Sequence, residues 1–442
     1  MLPPAAADAE SLEIAAQVQD IEARLLLSQG QAESAAVTWE AVVIAYEQSG
    51  DLSLAQQAQL SQAQALQSAG FYRRSVDLLT ALTTRLSAQP PSELSVRAAL
   101  SLGEAFRLTG ALAEAETQFQ TSLQGAESLS LADLASAVYL NLGNLTRLQT
   151  ESSRGQAADY YQQAITRAAS PWFRIQAQLA QLDWWIAEAH WQDAYHLVSV
   201  LWEEIATLPL NPTNVYAQIE LVEHLQAIRQ ATLTTLIDLA IANFDGLADT
   251  AWTAFVSQTF AAEPDSLRSS YADSQSIPEQ SLWTALDRQF LPLADMATRL
   301  ATLRRTAQAL GNAQAEATIL GALGNLYEQV EDWDAAAQVT QAGLVLAQSY
   351  NLVQVTYGLQ AQLGRIQLAQ GDRSAAISAY QASVQTLQVM RADVVAVSSE
   401  AQYSFQKSIE PIYRELATLL LEEGNEGTSA DNLKHVLGED IL

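Results

Sequence analysis

Four histidines, His190, His196, His224 and His435, are the only imidazoles in this chain of 442 residues, and no cysteine accompanies them. A nucleophile needs a base within hydrogen-bond reach. No serine stands in the Gly-x-Ser-x-Gly turn that presents an activated hydroxyl, so hydrolytic chemistry has no visible machinery and no catalytic residue is expected. His190 and His196 are six positions apart, which points them to different faces of a helix, and Glu220 with His224 offers a single i, i+4 pair. No metal site is expected from either. The glycines fall in helical contexts and not between a strand and a helix, so phosphate loops and dinucleotide fingerprints are absent and no cofactor is expected. The lack of cysteine removes disulfides as well and leaves the compartment open.

The chemistry that remains is recognition. Half the residues are hydrophobic (49%), carried by Ala and Leu, with Gln abundant beside them, a mixture that favours helices. Eleven prolines and 19 glycines fall tens of residues apart, as helix pairs joined by short turns require. The 50 acids against 22 bases leave a net charge of −28, and lysine occurs only at Lys407 and Lys434. A nucleic acid or an anionic lipid surface needs a basic face, and no cluster of bases supplies one. No apolar run is long enough to span a bilayer, and the opening MLPPAAADAESLEIAAQ lacks the charged and apolar regions of a signal sequence. The expected partner is a protein or peptide, in a multi-subunit complex and without nucleic acid or membrane insertion. The expected compartment is the cytoplasm, with a periplasmic or lumenal one open if a signal has been removed.

A repeat sets the fold. LGEAF at 102–106 returns as LGNLT at 142–146, and LGNLY at 323–327 returns as LGRIQ at 363–367, so Gly103 to Gly143 and Gly324 to Gly364 are each 40 residues. A small residue follows at Ala115, Ala157, Ala336 and Ala376, and four positions later come Phe119, Tyr161, Thr340 and Tyr380. Small residues at a crossing let two helices approach while a larger one fills the groove beside them. Ala63 and Ala23 take the Gly position in earlier periods, with Ser75 and Leu79, then Ala35 and Trp39, at the later positions.

This pattern resembles the tetratricopeptide repeat, in a long variety of about 40 residues. The resemblance implies an all-α, right-handed superhelical solenoid of antiparallel helix pairs, each covering the apolar face of its neighbour. Repeats are expected at about 11–49, 53–88, 93–127, 132–169 and 172–208, a helix at 213–242, further repeats at about 297–349 and 352–389, and a closing helix near 402–423. In domain terms these are an arm at 1–10, an array at 11–230, a divergent segment at 231–296, repeats at 297–389, a capping region at 390–423 and a tail at 424–442. In such arrays the first helix of each pair lines a groove, and residues one, four and five after the small residue point inward. That selects Arg24, Gln64, Glu104, Arg107, Asn144, Arg147, Asn325, Glu328 and Arg365. Asn offers a donor and an acceptor to a peptide backbone, and Arg can clamp a carboxylate. The groove lacks the lysines of carboxylate-clamp repeats that read chaperone tails, so such tails are not the expected ligand.

Residues 243–296 break the period and carry Trp252, Phe255, Phe260, Trp283 and Phe290. Either they fill a local core or they present aromatic anchors to a partner.

The stretch from LGNLYEQVEDWDAAAQ through MRADVVAVSSEAQYSFQKSIEPIYRELATLLLEE is similar to the region that precedes the caspase-like CHAT domain in cyanobacterial repeat proteins. In that family a domain with a His and Cys pair follows, and no position here matches its catalytic motif. Two readings are therefore carried forward: a non-catalytic scaffold, or the sensor half of a CHAT-type protease. They predict different things of Lys407–Glu423, capped and solvated in the first and an exposed apolar docking face in the second; a stripe of Phe405, Ile409, Ile412, Leu416 and Leu420 follows helical spacing and could serve either.

Overall fold

The computed structural model describes residues 4–149, 154–241, 256, 292–394 and 410–424, and every regular element among them is an α-helix. The N-terminal pairs are α1 (Pro4–Ser28) with α2 (Ala32–Ser49), α3 (Leu52–Ser68) with α4 (Tyr72–Ser87), α5 (Glu93–Thr109) with α6 (Leu112–Ser128), and α7 (Ala132–Arg147) with α8 (Arg154–Arg167). They are followed by α9 (Pro171–Ala187), α10 (Trp191–Ala206) and the long α11 (Pro212–Ile241). After the divergent segment come α12 (Leu293–Ala309), α13 (Ala313–Gln329), α14 (Trp333–Ser349), α15 (Val353–Ala369), α16 (Arg373–Val394) and α17 (Glu410–Gly424).

The ends of these helices are chemically marked. Asp51 caps α3 by accepting from the Leu54 amide, and Ser92 and Ser95 close a reciprocal capping box on α5. Gly50 and Gly110 take the left-handed conformation just past α2 and α5, where their N–H groups satisfy helix-terminal carbonyls.

What joins two helices into a pair is the small-residue crossing. A Cβ placed on Gly103 would lie 2.5 Å from the Phe119 ring, one on Gly143 2.7 Å from Tyr161, and one on Gly364 2.9 Å from Tyr380. The three rings are fully buried. Buried serines lace the same pairs: Ser75 donates to the Ala63 carbonyl, Ser122 to that of Val96, Ser136 to that of Ala164 and Ser383 to that of Tyr357, over 2.7–3.0 Å. Successive pairs then bury their apolar faces on one another, as where Leu79, Leu82 and Leu86 of α4 receive Ala98, Leu102 and Ala105 of α5.

The stretch expected as one repeat at 297–349 holds three helices, α12, α13 and α14, and that expectation is corrected. Gly311 at φ +64° turns the chain after α12, and Asn312 caps α13 by accepting from the Ala315 amide. The sequence period places Gly324 on α13 and Ala336 with Thr340 on α14. The expected helix at 213–242 is α11, and of the closing helix near 402–423 the described part is α17.

The helices gather into two compact units that cut across chain order. The first takes the described residues of Met1–Ala177, Gly311–Ala317 and Leu344–Leu442, and the second those of Gln178–Leu310 and Thr318–Gly343. Within the first, turns remote in sequence are stitched together. The Asn312 amide donates to the Ser28 carbonyl at 2.8 Å across 284 positions, and the Gln354 amide reaches the Ser68 carbonyl at 3.4 Å across 286. Gly30 is required at this seam: its φ is +80°, and any Cβ there would strike that of Gln314 at 2.6 Å. Within the second unit, the Arg299 guanidinium of α12 lies 3.6 Å from the centre of the Trp202 ring on α10 and donates to the Trp202 carbonyl at 2.8 Å.

Two outcomes test this packing. Gly143→Ala should destabilise the protein by about 1–3 kcal/mol in urea unfolding, because the Tyr161 ring must move. Gly358→Ala, in α15 with open space around it, should be neutral or stabilising by up to about 1 kcal/mol. At the seam, Asn312→Asp keeps the cap but loses the donor to Ser28, so hydrogen exchange should speed up selectively at the amides of Gln29–Gln31.

Candidate partner-binding surface

Two of the residues selected as groove-facing, Gln64 and Glu104, are members of a ladder that links first helices. Gln64 on α3 donates to the Ser101 hydroxyl on α5 at 3.1 Å, and Gln67 donates to the Ser101 carbonyl at 2.8 Å. One repeat later, Asn141 on α7 donates to the Glu104 carboxylate on α5 at 3.0 Å. The position after the small residue in one first helix thus meets the position two before the small residue in the next. Ser101 and Asn141, nearly fully buried, were not selected from the sequence.

The remaining selected residues fall around this ladder. Asn144 accepts from the Tyr161 hydroxyl at 2.8 Å, which fixes its carbonyl. Arg107 is buried, Arg147 half-buried and Arg365 exposed. Arg24 is held on α1 by Asp20 at 2.8 Å, and the same carboxylate accepts from the Trp39 indole. Asn325 and Glu328 belong to the other unit. Trp252, Phe255, Phe260, Trp283 and Phe290 lie outside the described residues.

Electrostatics single out Glu104. Burial pushes its carboxyl above the usual carboxylate range, against the Arg107 guanidinium and the Asn141 hydrogen bond, which pull it down. Its place between two first helices makes it a polar group that a cationic or amide group of a partner could join.

A second concavity lies at the seam of the same unit. About 420 Å³ in volume, it is bounded by Gly30, Gln31, Gly70, Phe71, Gln314 and Gln354. No local pattern reveals it, because its walls come from opposite ends of the chain. Among the described residues there is no group of three or more His, Asp or Glu side chains placed to hold a metal ion, and no helix long and apolar enough to cross a membrane.

Helix pairs stepped by 40 residues, with glycine or alanine seated on a ring of the second helix, decide the fold. The described residues form an all-α array of antiparallel helix pairs. No protein-family model matches it, and no curated protein sequence does. Among solved structures it is similar to a Rap protein complexed with competence and sporulation factor, at 10% identity and a TM-score of 0.37, covering 92% of this chain and 98% of that one. It is similar also to the TPR domain of P58(IPK), at 15% identity and a TM-score of 0.21 over 89% and 99% of the two chains. A third is the APC/C hetero-tetramer Cut9-Hcn1, at 15% and 0.21, with 96% of each chain covered. At such identities and TM-scores these likenesses say nothing of a ligand for this helical array.

Glu104 gives a pH test. Folded, it keeps its proton to higher pH than it does unfolded, so its contribution to stability declines as pH rises from the unfolded carboxylate value through the raised folded one. Urea unfolding of Glu104→Gln at a series of pH values should show the variant gaining on the parent chain across that window, with a constant difference above it.

Proposed function

We propose that this protein is a non-catalytic scaffold that binds an extended segment of a protein partner along the first helices α3, α5 and α7, as a subunit or assembly factor of a cytoplasmic complex. One observation carries the reading. Gln64, Glu104 and Asn144 recur at 40-residue steps as half-buried polar side chains, each positioned by a neighbour and each with hydrogen-bonding capacity to spare. A peptide backbone presents alternating donors and acceptors, and a row of pre-ordered amides and a carboxylate meets them without having to be ordered first. The aromatic segment with Trp252 and Trp283 is a second contact region in this reading.

The alternative, a sensor half of a CHAT-type protease, expects an exposed apolar docking face over Lys407–Glu423. Ile412, Tyr413, Leu416 and Leu419 of α17 are instead buried against Tyr380, Val384 and Leu387 of α16. Phe405 and Ile409 lie outside the described residues. The covered stripe supports the scaffold reading, in which α17 closes the array.

Tagged full-length protein captured from its own cells, with bound proteins identified by mass spectrometry, tests the proposal. Gln64→Ala and Asn144→Ala should each weaken the recovered partner roughly fivefold to tenfold in Kd, from about 1 kcal/mol per hydrogen bond. Gln120→Ala, on the exposed outer face of α6, should leave binding unchanged. Equal effects of all three, or none, would remove the first-helix face as the binding surface.

A further inference from the structure

The turns stitched together in the first unit leave a space between them. It measures about 420 Å³, inside the range of roughly 300–1,000 Å³ that holds small ligands. Its walls are the turns that lead into α2, α4 and α15, together with Gln314 in the first turn of α13. All of these belong to the one compact unit.

The seam follows the period of the array. Ser28 ends α1 and Ser68 ends α3, 40 positions later. Each offers its carbonyl to a carboxamide from a segment remote in sequence, Asn312 at the start of α13 and Gln354 at the start of α15. Carbonyl ends of two helices thus meet amino ends of two others, and their partial charges offset one another across the seam. Two glycines let the walls come this close. A Cβ on Gly30 would lie 2.6 Å from that of Gln314, and one on Gly70, at φ +87°, would lie 3.1 Å from the Gln354 amide nitrogen.

The lining donates and accepts hydrogen bonds while carrying little charge. Gln31 commits its NH2 to the Gln29 side chain at 3.3 Å, and Gln354 commits its own to Ser68. Both carboxamide oxygens remain as acceptors. Helix α2 starts at the wall without a side-chain cap, so the amides of Ala32, Glu33 and Ser34 are donors to the same space. Phe71, Tyr350 and Leu352 add an apolar side. Glu33 is the only charged residue of the lining, and it is exposed.

Charge narrows the ligand. An anion would enter a protein of net charge −28 and find no lining base to pair with it. A cation would find one solvated carboxylate and, against it, the positive end of α2. An uncharged group with an N–H and a C=O side by side uses both sets of partners, and an apolar side chain beside it covers the Phe71 wall. That is the chemistry of a peptide or carboxamide unit. The volume suits one such unit with its side chain and not a helix of a partner protein.

We propose that this cavity binds a small uncharged ligand that carries a peptide or carboxamide group beside one apolar side chain. Its walls are joined only by the stitches across 284 and 286 positions. The ligand therefore binds when the seam is closed, and by linkage its binding holds the seam closed. The site is distinct from the ladder of Gln64, Glu104 and Asn141, so it stands or falls separately from partner binding there.

Three probes on one scaffold test the site in the full-length chain. They are N-acetyl-L-phenylalaninamide, which is neutral, N-acetyl-L-phenylalanine, which is anionic, and L-phenylalaninamide, which is cationic at a pH of about 6. In NMR titrations the neutral probe should bind with a Kd of about 1 mM or tighter, and each charged one roughly tenfold more weakly. Gln354→Ala should weaken the neutral probe about fivefold to tenfold. Ser34→Trp, which brings a ring into the space from an exposed position, should abolish binding with the helical circular dichroism unchanged. Adding the neutral probe to the parent chain should slow hydrogen exchange selectively at the amides of Gln29–Gln31, which a ligand bound elsewhere would leave alone. No binding of the neutral probe at about 10 mM, binding that survives both substitutions, or a charged probe that binds as tightly overturns the proposal.

Discussion

A glycine seated on an aromatic ring governs everything else in the array. Where Gly103 meets Phe119, Gly143 meets Tyr161 and Gly364 meets Tyr380, the missing side chain is what lets two backbones come close enough for the ring to fill the crossing. That approach brings Ser122 and Ser383 within hydrogen-bond distance of carbonyls on the facing helix, so buried hydroxyls find partners where a looser crossing would strand them. It also sets the pitch between pairs. The first helices α3, α5 and α7 align closely enough for Gln64 to reach Ser101 and for Asn141 to reach Glu104. Geometry at the crossing, a matter of hard-sphere contact, thereby decides where polar groups stand at a face that a partner could use.

Glycine, alanine and aromatics at fixed offsets are residue-type signals, and they made the period and the pairing readable before any coordinates. The ladder was only half readable. Gln64 and Glu104 hold the position after the small residue, which the repeat singles out, but Ser101 and Asn141 look like ordinary polar residues of a helix. Their role depends on which neighbour the crossing angle brings opposite them, and a one-dimensional pattern does not encode that angle. The three helices of residues 293–349 were compressed into one repeat because the turn at Leu310–Gly311–Asn312 is as short as the turns inside pairs. The seam cavity left no trace at all, since Gly30 and Gln314 belong to patterns that are each complete in themselves.

Charge is handled differently inside and outside. The surface carries the acidic surplus, while the buried polar positions are mainly neutral amides and hydroxyls such as Gln59, Ser101, Asn141, Gln360 and Ser383. Neutral groups can be satisfied by one or two hydrogen bonds, whereas a buried carboxylate also needs a counter-charge. Glu104 departs from this rule and keeps Arg107 beside it. In the second unit Arg229 of α11 is fully buried, and the half-buried Arg299 stacks on Trp202.

The stitches from Asn312 to Ser28 and from Gln354 to Ser68 change how this chain should fold. An ordinary repeat array has only nearest-neighbour interactions, so its end repeats fray independently and folding can propagate from any nucleus. Contacts across 284 and 286 positions give the first unit long-range order of a kind that a linear array lacks. Their loop-closure entropy has to be met before they contribute, which raises contact order and slows folding. In return the terminal helices lose their freedom to melt alone, and the first unit behaves less like a string of modules and more like a single cooperative globule.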